Sequence, residues 1–193
     1  LNVTKFVMQF KKPKKAKLTK LDKYYIDYLD YETYDIGKRY DKYNFYKPAV
    51  TLRSFLWNEF ASHYIEIVKP RVYNEDKKFT KEESEAAVYT LYYLLERLII
   101  LLYPIIPQIT TVISNELKIN LDKYPSVDYI KVEKEVRNND EIARINSMIM
   151  FNQEVWKVKK ETNISLKSQI IGITIPINLK IFEKDLRAAH SLI

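Results

Sequence analysis

The sequence predicts a mainly α-helical protein: an antiparallel helical bundle over residues 1–118, followed by a small mixed α/β unit over residues 119–193. Three observations carry this. Glycine occurs only twice, at Gly37 and Gly172, too rarely for a β-rich or glycine-looped fold. Apolar residues recur every three or four positions through most of the first 118 residues, which is the period of one helix face. Pro13, Pro70 and Pro104 fall where those stretches end, as expected of a residue that interrupts helices.

A short first helix carries Phe6, Val7 and Phe10 ahead of Pro13. A second starts near Leu21 and places Tyr24, Ile26, Tyr28, Leu29, Tyr31, Ile36 and Tyr40 along its length. The third spans residues 45–69, with Pro48 in its first turn, where a missing N–H costs nothing. Its apolar face is Phe45, Ala49, Leu52, Leu56, Phe60, Tyr64 and Ile67, and Pro70 is expected to stop it. The fourth opens on Thr80 and Glu83, the spacing of a capping box, and runs through Val88, Leu91, Leu95, Leu98 and Leu102. A fifth follows Pro107, from Gln108 to Leu117. These apolar faces are wide, so each helix must pack on another.

After "DKYPSVDY" (Asp122–Tyr129) the character changes. Residues 138–162 read as an amphipathic helix with Ile142, Ile145, Ile149, Val155 and Trp156. "SQIIGITIPI" (Ser168–Ile177) is β-branched and forms the best strand candidate, its partner expected in residues 127–133 or beyond residue 193. Residues 178–190 read as a last helix.

The net charge of +7 is unevenly spread. Residues 1–20 hold seven lysines and no acid, which equals the whole formal excess, so the rest of the chain is balanced. "KKPKKAK" (residues 11–17) is either a solvated surface strip or a contact for nucleic-acid phosphates. The chain starts at Leu1 rather than Met and ends on apolar Leu192–Ile193, so a fragment of a longer protein is expected. The N-terminus lacks the pattern of a secretory signal, and "LIILLYPIIP" is too short to cross a bilayer, which takes about 20 residues. The absence of cysteine excludes disulfides and thiolate metal sites and suits a cytoplasmic protein.

Little in the sequence encodes catalysis. There is no phosphate-binding glycine loop, no G-x-S-x-G, and no nucleophile–base–orienter set. The only histidines are His63 and His190. His63 stands four residues after Glu59, and a helix-flank histidine paired with that glutamate is expected rather than a metal ligand, since no third ligand is in sight. Glu66 and Lys69 are spaced to form an ion pair. No catalytic residue and no metal site is therefore assigned.

The order of residues in the long helices is informative. "YNFYKPAVTLRSFLWNEFASHYIEIVKPRVY" carries an aromatic, Ala, Phe-x-Trp, Tyr-Ile-Glu and Lys in sequence, at Phe45, Ala49, Phe55, Trp57, Tyr64–Glu66 and Lys69. It resembles the anticodon-binding helical bundle of the class Ia aminoacyl-tRNA synthetases. "LNVTKFV", Asp22 in "LTKLDKYYIDYL", and "LLYPIIPQITTVISNEL" are similar to flanking motifs of that family. Tyr103 stands where histidine is usual there, and Thr111 where glutamate is usual. The "WNEF…YIEIVKPRVY" pattern, with "SVDYIKVE" and "VWKVKKETNISLKSQI" further on, is most similar to the valyl-tRNA synthetases, although Asp128 replaces a common histidine. The isoleucyl enzymes are the next resemblance.

The resemblance implies a tRNA-anticodon-binding segment of a synthetase, itself noncatalytic, with ATP and magnesium bound in a catalytic domain absent from this sequence. Its partners would be a valine-accepting tRNA and the rest of the synthetase chain, with no membrane and no DNA. Phe60, Tyr64 and Ile67 would be core, with a polar surface from Lys69 to Lys78. Candidate tRNA contacts near helix ends and loops are Lys38, Arg39, Lys69, Arg71, Tyr73, Lys77 and Lys78, with Lys157, Lys159 and Lys160 beside Trp156. A stand-alone helical interaction module and a basic-tailed DNA binder are the rival readings.

Overall fold

A computed structural model describes residues 1–121 and 139–193. Eight α-helices make up most of these: α1 (Asn2–Val7), α2 (Lys20–Tyr40), α3 (Tyr46–Ser54), α4 (Ile65–Tyr73), α5 (Lys81–Leu102), α6 (Pro107–Leu117), α7 (Asn139–Glu161) and α8 (Glu183–His190). Helices α2 and α5, about 30 Å each at ~1.5 Å per residue, are the longest within residues 1–118.

Both begin on reciprocal caps. Thr80 Oγ1 accepts from the Glu83 amide at 3.2 Å, and Glu83 Oε2 accepts from the Thr80 amide at 2.7 Å, as the sequence spacing predicts. Thr19 and Asp22 do the same for α2, at 3.4 and 3.2 Å. Each box satisfies two amides that the first helical turn leaves without partners.

Helices α3 and α4 are one continuous rod, joined by a ten-residue π-helical segment, Phe55–Tyr64. This wider winding changes which residues face inward. Phe55 is buried at 2% exposure, five positions before Phe60 at 0%, whereas Leu56 is only half-buried and Phe45 lies at the surface. An α-helical period therefore misplaces Leu56; Phe45, the N-cap residue of α3 ahead of the π segment, is also not core, while Phe60, Tyr64 and Ile67 are core as expected. The rod also passes through Pro70 to Tyr73, contrary to the expected stop. The proline removes a single N–H in the last turn, and the helix ends within four residues at Asn74, which adopts the left-handed conformation (φ 45°).

The expected α/β unit is not supported by the described residues. No strand occurs among the described residues; the Ser168–Ile177 stretch makes only an isolated parallel bridge, Ile170 to Leu192. The suggested partner at residues 127–133 lies outside the described residues. Without a ladder, the β-branched side chains act singly: Ile170 and Ile175 are buried pegs, and the carbonyl of Ser168 is taken by a lysine rather than by a strand. Residues 177–190 are helical, as a 3₁₀ turn (Ile177–Phe182) followed by α8. Ile170, Leu179, Phe182, Leu186 and Leu192 join the same hydrophobic cluster as Leu29, Phe60 and Leu94, and α8 packs against α4. None of the described helices is long and apolar enough to cross a membrane.

Candidate nucleic-acid interface

The last turn of α4 meets the end of α1. Phe6 and Phe10, four apart, stack edge-on with ring centroids 5.4 Å apart, and Tyr73 closes a triangle at 6.2 Å from Phe6 and 5.4 Å from Phe10. Tyr73 is 48% exposed, and its hydroxyl donates to Gln9 Oε1 at 3.3 Å. Lysines neighbour the rings, Lys69 in space and Lys5 and Lys11 in sequence. Lys69 Nζ lies 5.9 Å from the Phe6 centroid while paired with Glu66 at 2.5 Å. Lys5 and Lys11 are exposed, with no ion pair among the described residues.

The lysine-rich strip that follows is irregular and held at one point. Lys12 Nζ bonds both Glu96 oxygens, at 2.5 and 2.7 Å, over the face of Tyr92, whose hydroxyl donates to the Phe10 carbonyl at 2.9 Å. Lys14, Lys15 and Lys17 project into solvent. The arrangement sets exposed aromatic surface beside cations, the combination that unstacked bases and phosphates require.

Asn74 builds the adjoining loop. Its side chain donates to the Phe79 carbonyl at 2.8 Å and accepts from the Phe79 amide at 3.0 Å, which folds residues 74–79 into a clamp over buried Phe79. Lys77 sits at φ 52° on the outside of this loop. Lys78 is exposed and pairs with Asp76 at 2.9 Å. Thus Lys69, Tyr73, Lys77 and Lys78 cluster at one end of the bundle. Lys38 and Arg39 lie at the far end of α2, where Lys38 covers Tyr34 at 4.1 Å and Arg39 pairs with Asp35 at 2.6 Å. Lys157 and Lys160 are exposed on α7.

Two sequence candidates are corrected. Arg71, expected on a polar surface, is fully buried at 0% exposure. Its Nη1 donates to Asp22 Oδ2 and Thr19 Oγ1, each at 2.9 Å, its Nη2 donates to Asp22 Oδ1 at 2.5 Å, and its Nε faces Asp185 Oδ1 at 3.2 Å. Lys159 is also 0% exposed; its ammonium donates to the carbonyls of Leu166, Ser168 and His190 at 2.8, 2.7 and 2.7 Å. Both cations hold elements together and are out of reach of an RNA backbone. Their partners lie far away in sequence, so helical spacing has no signal for them.

His63 is corrected as well. It is 4% exposed and does not pair with Glu59. Its Nδ1 lies 3.2 Å from Asn152 Nδ2, and its ring stacks on Trp156 at 5.2 Å. His190 Nε2 lies 2.6 Å from Asn152 Oδ1. Since the Asn152 amide nitrogen donates and its oxygen accepts, His63 Nδ1 is the bare nitrogen and His190 Nε2 carries hydrogen. Glu59 points instead toward α2, where burial foremost raises its carboxyl to about 7 against the hydrogen bond from Tyr28, with Glu32 adding to the rise. Among the described residues no group of three or more His, Cys, Asp or Glu is placed to hold a metal.

The sequence reading missed Phe6 and Phe10 as part of this surface. The available signal was an i, i+4 aromatic pair embedded in lysines, "KFVMQFKK". A family model, "Anticodon-binding domain of tRNA ligase", matches residues 22–175. The chain belongs to this family. The resemblance carried by Phe45 through Lys69 is therefore upheld. Valine–tRNA ligases are among the similar proteins. That of Pyrobaculum aerophilum is 32% identical over 196 residues, covering 99% of this chain and 24% of its own length. Those of Aeropyrum pernix and Nanoarchaeum equitans are each 33% identical, covering 79% and 78% of this chain and 19% and 18% of their own. This anticodon-binding domain thus spans about a fifth of the length of these relatives.

Proposed function

We propose that residues 1–193 bind the anticodon arm of a valine-accepting tRNA, as part of a longer cytoplasmic valine–tRNA ligase whose remaining portion uses ATP and magnesium to join valine to that tRNA. The observation that carries this reading is the Phe6–Phe10–Tyr73 cluster among Lys5, Lys11 and Lys69. Bases of an anticodon loop are already unstacked and can turn onto aromatic faces, and Tyr73 offers the most exposed ring of the three. Phosphates flanking those bases would meet Lys69, Lys77 and Lys78, with the strip at residues 11–17 extending the positive surface. Lys38, Arg39, Lys157 and Lys160 would serve as peripheral phosphate contacts. In this reading the domain places the tRNA and takes no part in activating the amino acid.

Binding of valine tRNA by the purified chain, followed by fluorescence anisotropy over a salt series, tests this. Log affinity should fall with log salt by ~0.7–0.9 per phosphate neutralised. Tyr73→Ala should weaken binding by roughly tenfold, as loss of one stacking partner worth ~1–3 kcal/mol predicts. Deleting residues 11–17 should weaken binding of every tRNA alike and shrink the slope. Affinity for valine tRNA equal to that for a polyanion of the same length, and unmoved by exchanging the anticodon bases, would overturn the reading.

A further inference from the structure

At the opposite end of the rod from the lysine cluster, one helical face has no partner among the described residues. Tyr46, Val50, Arg53 and Trp57 recur at spacings of four, three and four, and all are exposed, Tyr46 at 77%, Val50 at 51% and Trp57 at 71%. Tyr43, 85% exposed at φ 54°, extends the same corner. These are not residues displaced by poor packing, since the opposite face of the same rod is fully committed: Leu52 and Phe55 are buried at 0% and 2%. The charge is one-sided. Residues 42–58 contain Lys42, Lys47 and Arg53 and no acid, and none of the three makes an ion pair among the described residues.

We propose that this stripe is a docking face for an apolar, carboxylate-bearing protein surface contributed by the remaining portion of the ligase polypeptide. The inference rests on the family reading, which leaves about four-fifths of the length of the matched ligases outside this chain. The spacing is that of a helix packing into a groove, with anchors one and two turns apart. Trp, Tyr and Arg are the residues that dominate protein interfaces when they are covered. A single-stranded RNA fits less well. Tyr46 and Trp57 are about 16 Å apart along the rod at ~1.5 Å per residue, too far to stack neighbouring bases, and aliphatic Val50 lies between them. The unpaired cations select a partner surface with carboxylates at its rim.

Photo-crosslinking in the full-length ligase polypeptide tests this, with p-benzoylphenylalanine placed at position 57 or 46 and, as control, at the exposed Met150 of α7. The expected product is intramolecular: a peptide from outside residues 1–193, formed with or without valine tRNA, at several times the yield of the position-150 control. Combining Lys47→Glu with Arg53→Glu should lower that yield by about threefold at low salt and less at high salt. Cross-links that reach only tRNA, only a second copy, or only residues within 1–193 would overturn the proposal, as would a yield no higher than at position 150. Affinity for valine tRNA is measured on the same preparations. Loss of tRNA binding with the cross-link intact would count against the anticodon reading alone, and loss of the cross-link with tRNA binding intact against the docking face alone.

Discussion

Arg71 and Asp22 form a two-pronged ion pair in the centre of the domain, with Nη2 to Oδ1 at 2.5 Å, Nη1 to Oδ2 at 2.9 Å, and side chains 1% and 0% exposed. Tyr64 adds its hydroxyl to Asp22 Oδ1 at 2.6 Å, and Thr19 adds its own to Oδ2 at 2.8 Å. Asp185 of α8 completes the charge balance from the other side of the guanidinium. One arginine thus ties the first turn of α2 and the start of α8 to the last turn of α4. Burial opposes its charge, yet Asp22 and then Asp185 outweigh that and hold the guanidinium firmly protonated.

Removing Arg71 leaves two carboxylates buried without a counter-charge. Arg71→Met should destabilise the domain by roughly 3–5 kcal/mol, the range for breaking one side of a buried pair. Urea unfolding checks it. A loss within experimental error, paired with weakened tRNA binding, would mean that Arg71 is a surface contact after all.

Lys159 makes a parallel prediction on α7. Lys159→Met strands three carbonyls, that of His190 buried and those of Leu166 and Ser168 part-buried, at a cost of ~1–3 kcal/mol for each that stays buried and unsatisfied. Its neighbours Lys157 and Lys160 are exposed, so their alanine variants should stay within about 0.5 kcal/mol of wild type. The three unfolding midpoints, measured side by side, would show one large effect and two small ones.

The His190 ring sets a pH dependence. Burial first, then the charges of Lys159 and His63, lower its pKa from 6.5 to about 4. Its Nδ1 is buried with no hydrogen-bond partner among the described residues, so a second ring proton finds no acceptor among them. Between these two values the unfolded chain binds a proton that the folded chain does not. The stability contributed by the neutral ring is complete above about 6.5 and is lost as the pH falls toward 4, on the order of 3 kcal/mol in all. Asp185 acts oppositely: burial raises it to about 6 against the pull of Arg71, so its contribution is lost as the pH rises through 6. The comparison of wild type with His190→Gln isolates the histidine. Their stability difference should grow from pH 4.5 to 7, and a difference constant over that range would refute the assignment.

Core truncations give a simpler expectation. Phe60 and Leu95 are 0% and 4% exposed, so Phe60→Ala and Leu95→Ala should each cost roughly 2–5 kcal/mol. Differential scanning calorimetry would detect either as a lower midpoint with unchanged cooperativity.

Sequence by itself determined most of the helices and the Thr80–Glu83 cap, because both are local. Thr80 and Glu83 are three apart and must meet once the first turn forms, and Leu91, Leu94, Leu95 and Leu98 share a face through the helical period alone. The synthetase resemblance was legible for a related reason, being carried by an ordered run from Phe45 to Lys69. Tertiary structure decided what depends on meetings between distant residues. It turned Arg71 and Lys159 from surface cations into buried ties, brought His63 to Asn152 and His190, and set Phe6 and Phe10 beside Tyr73. It also wound Phe55–Tyr64 as a π-helix, which no α-period anticipates, and left Ser168–Ile177 without a ladder among the described residues. A buried charge is affordable only where partners converge on it, and a strand exists only where another lies alongside; neither condition is written in the spacing of residues along one segment.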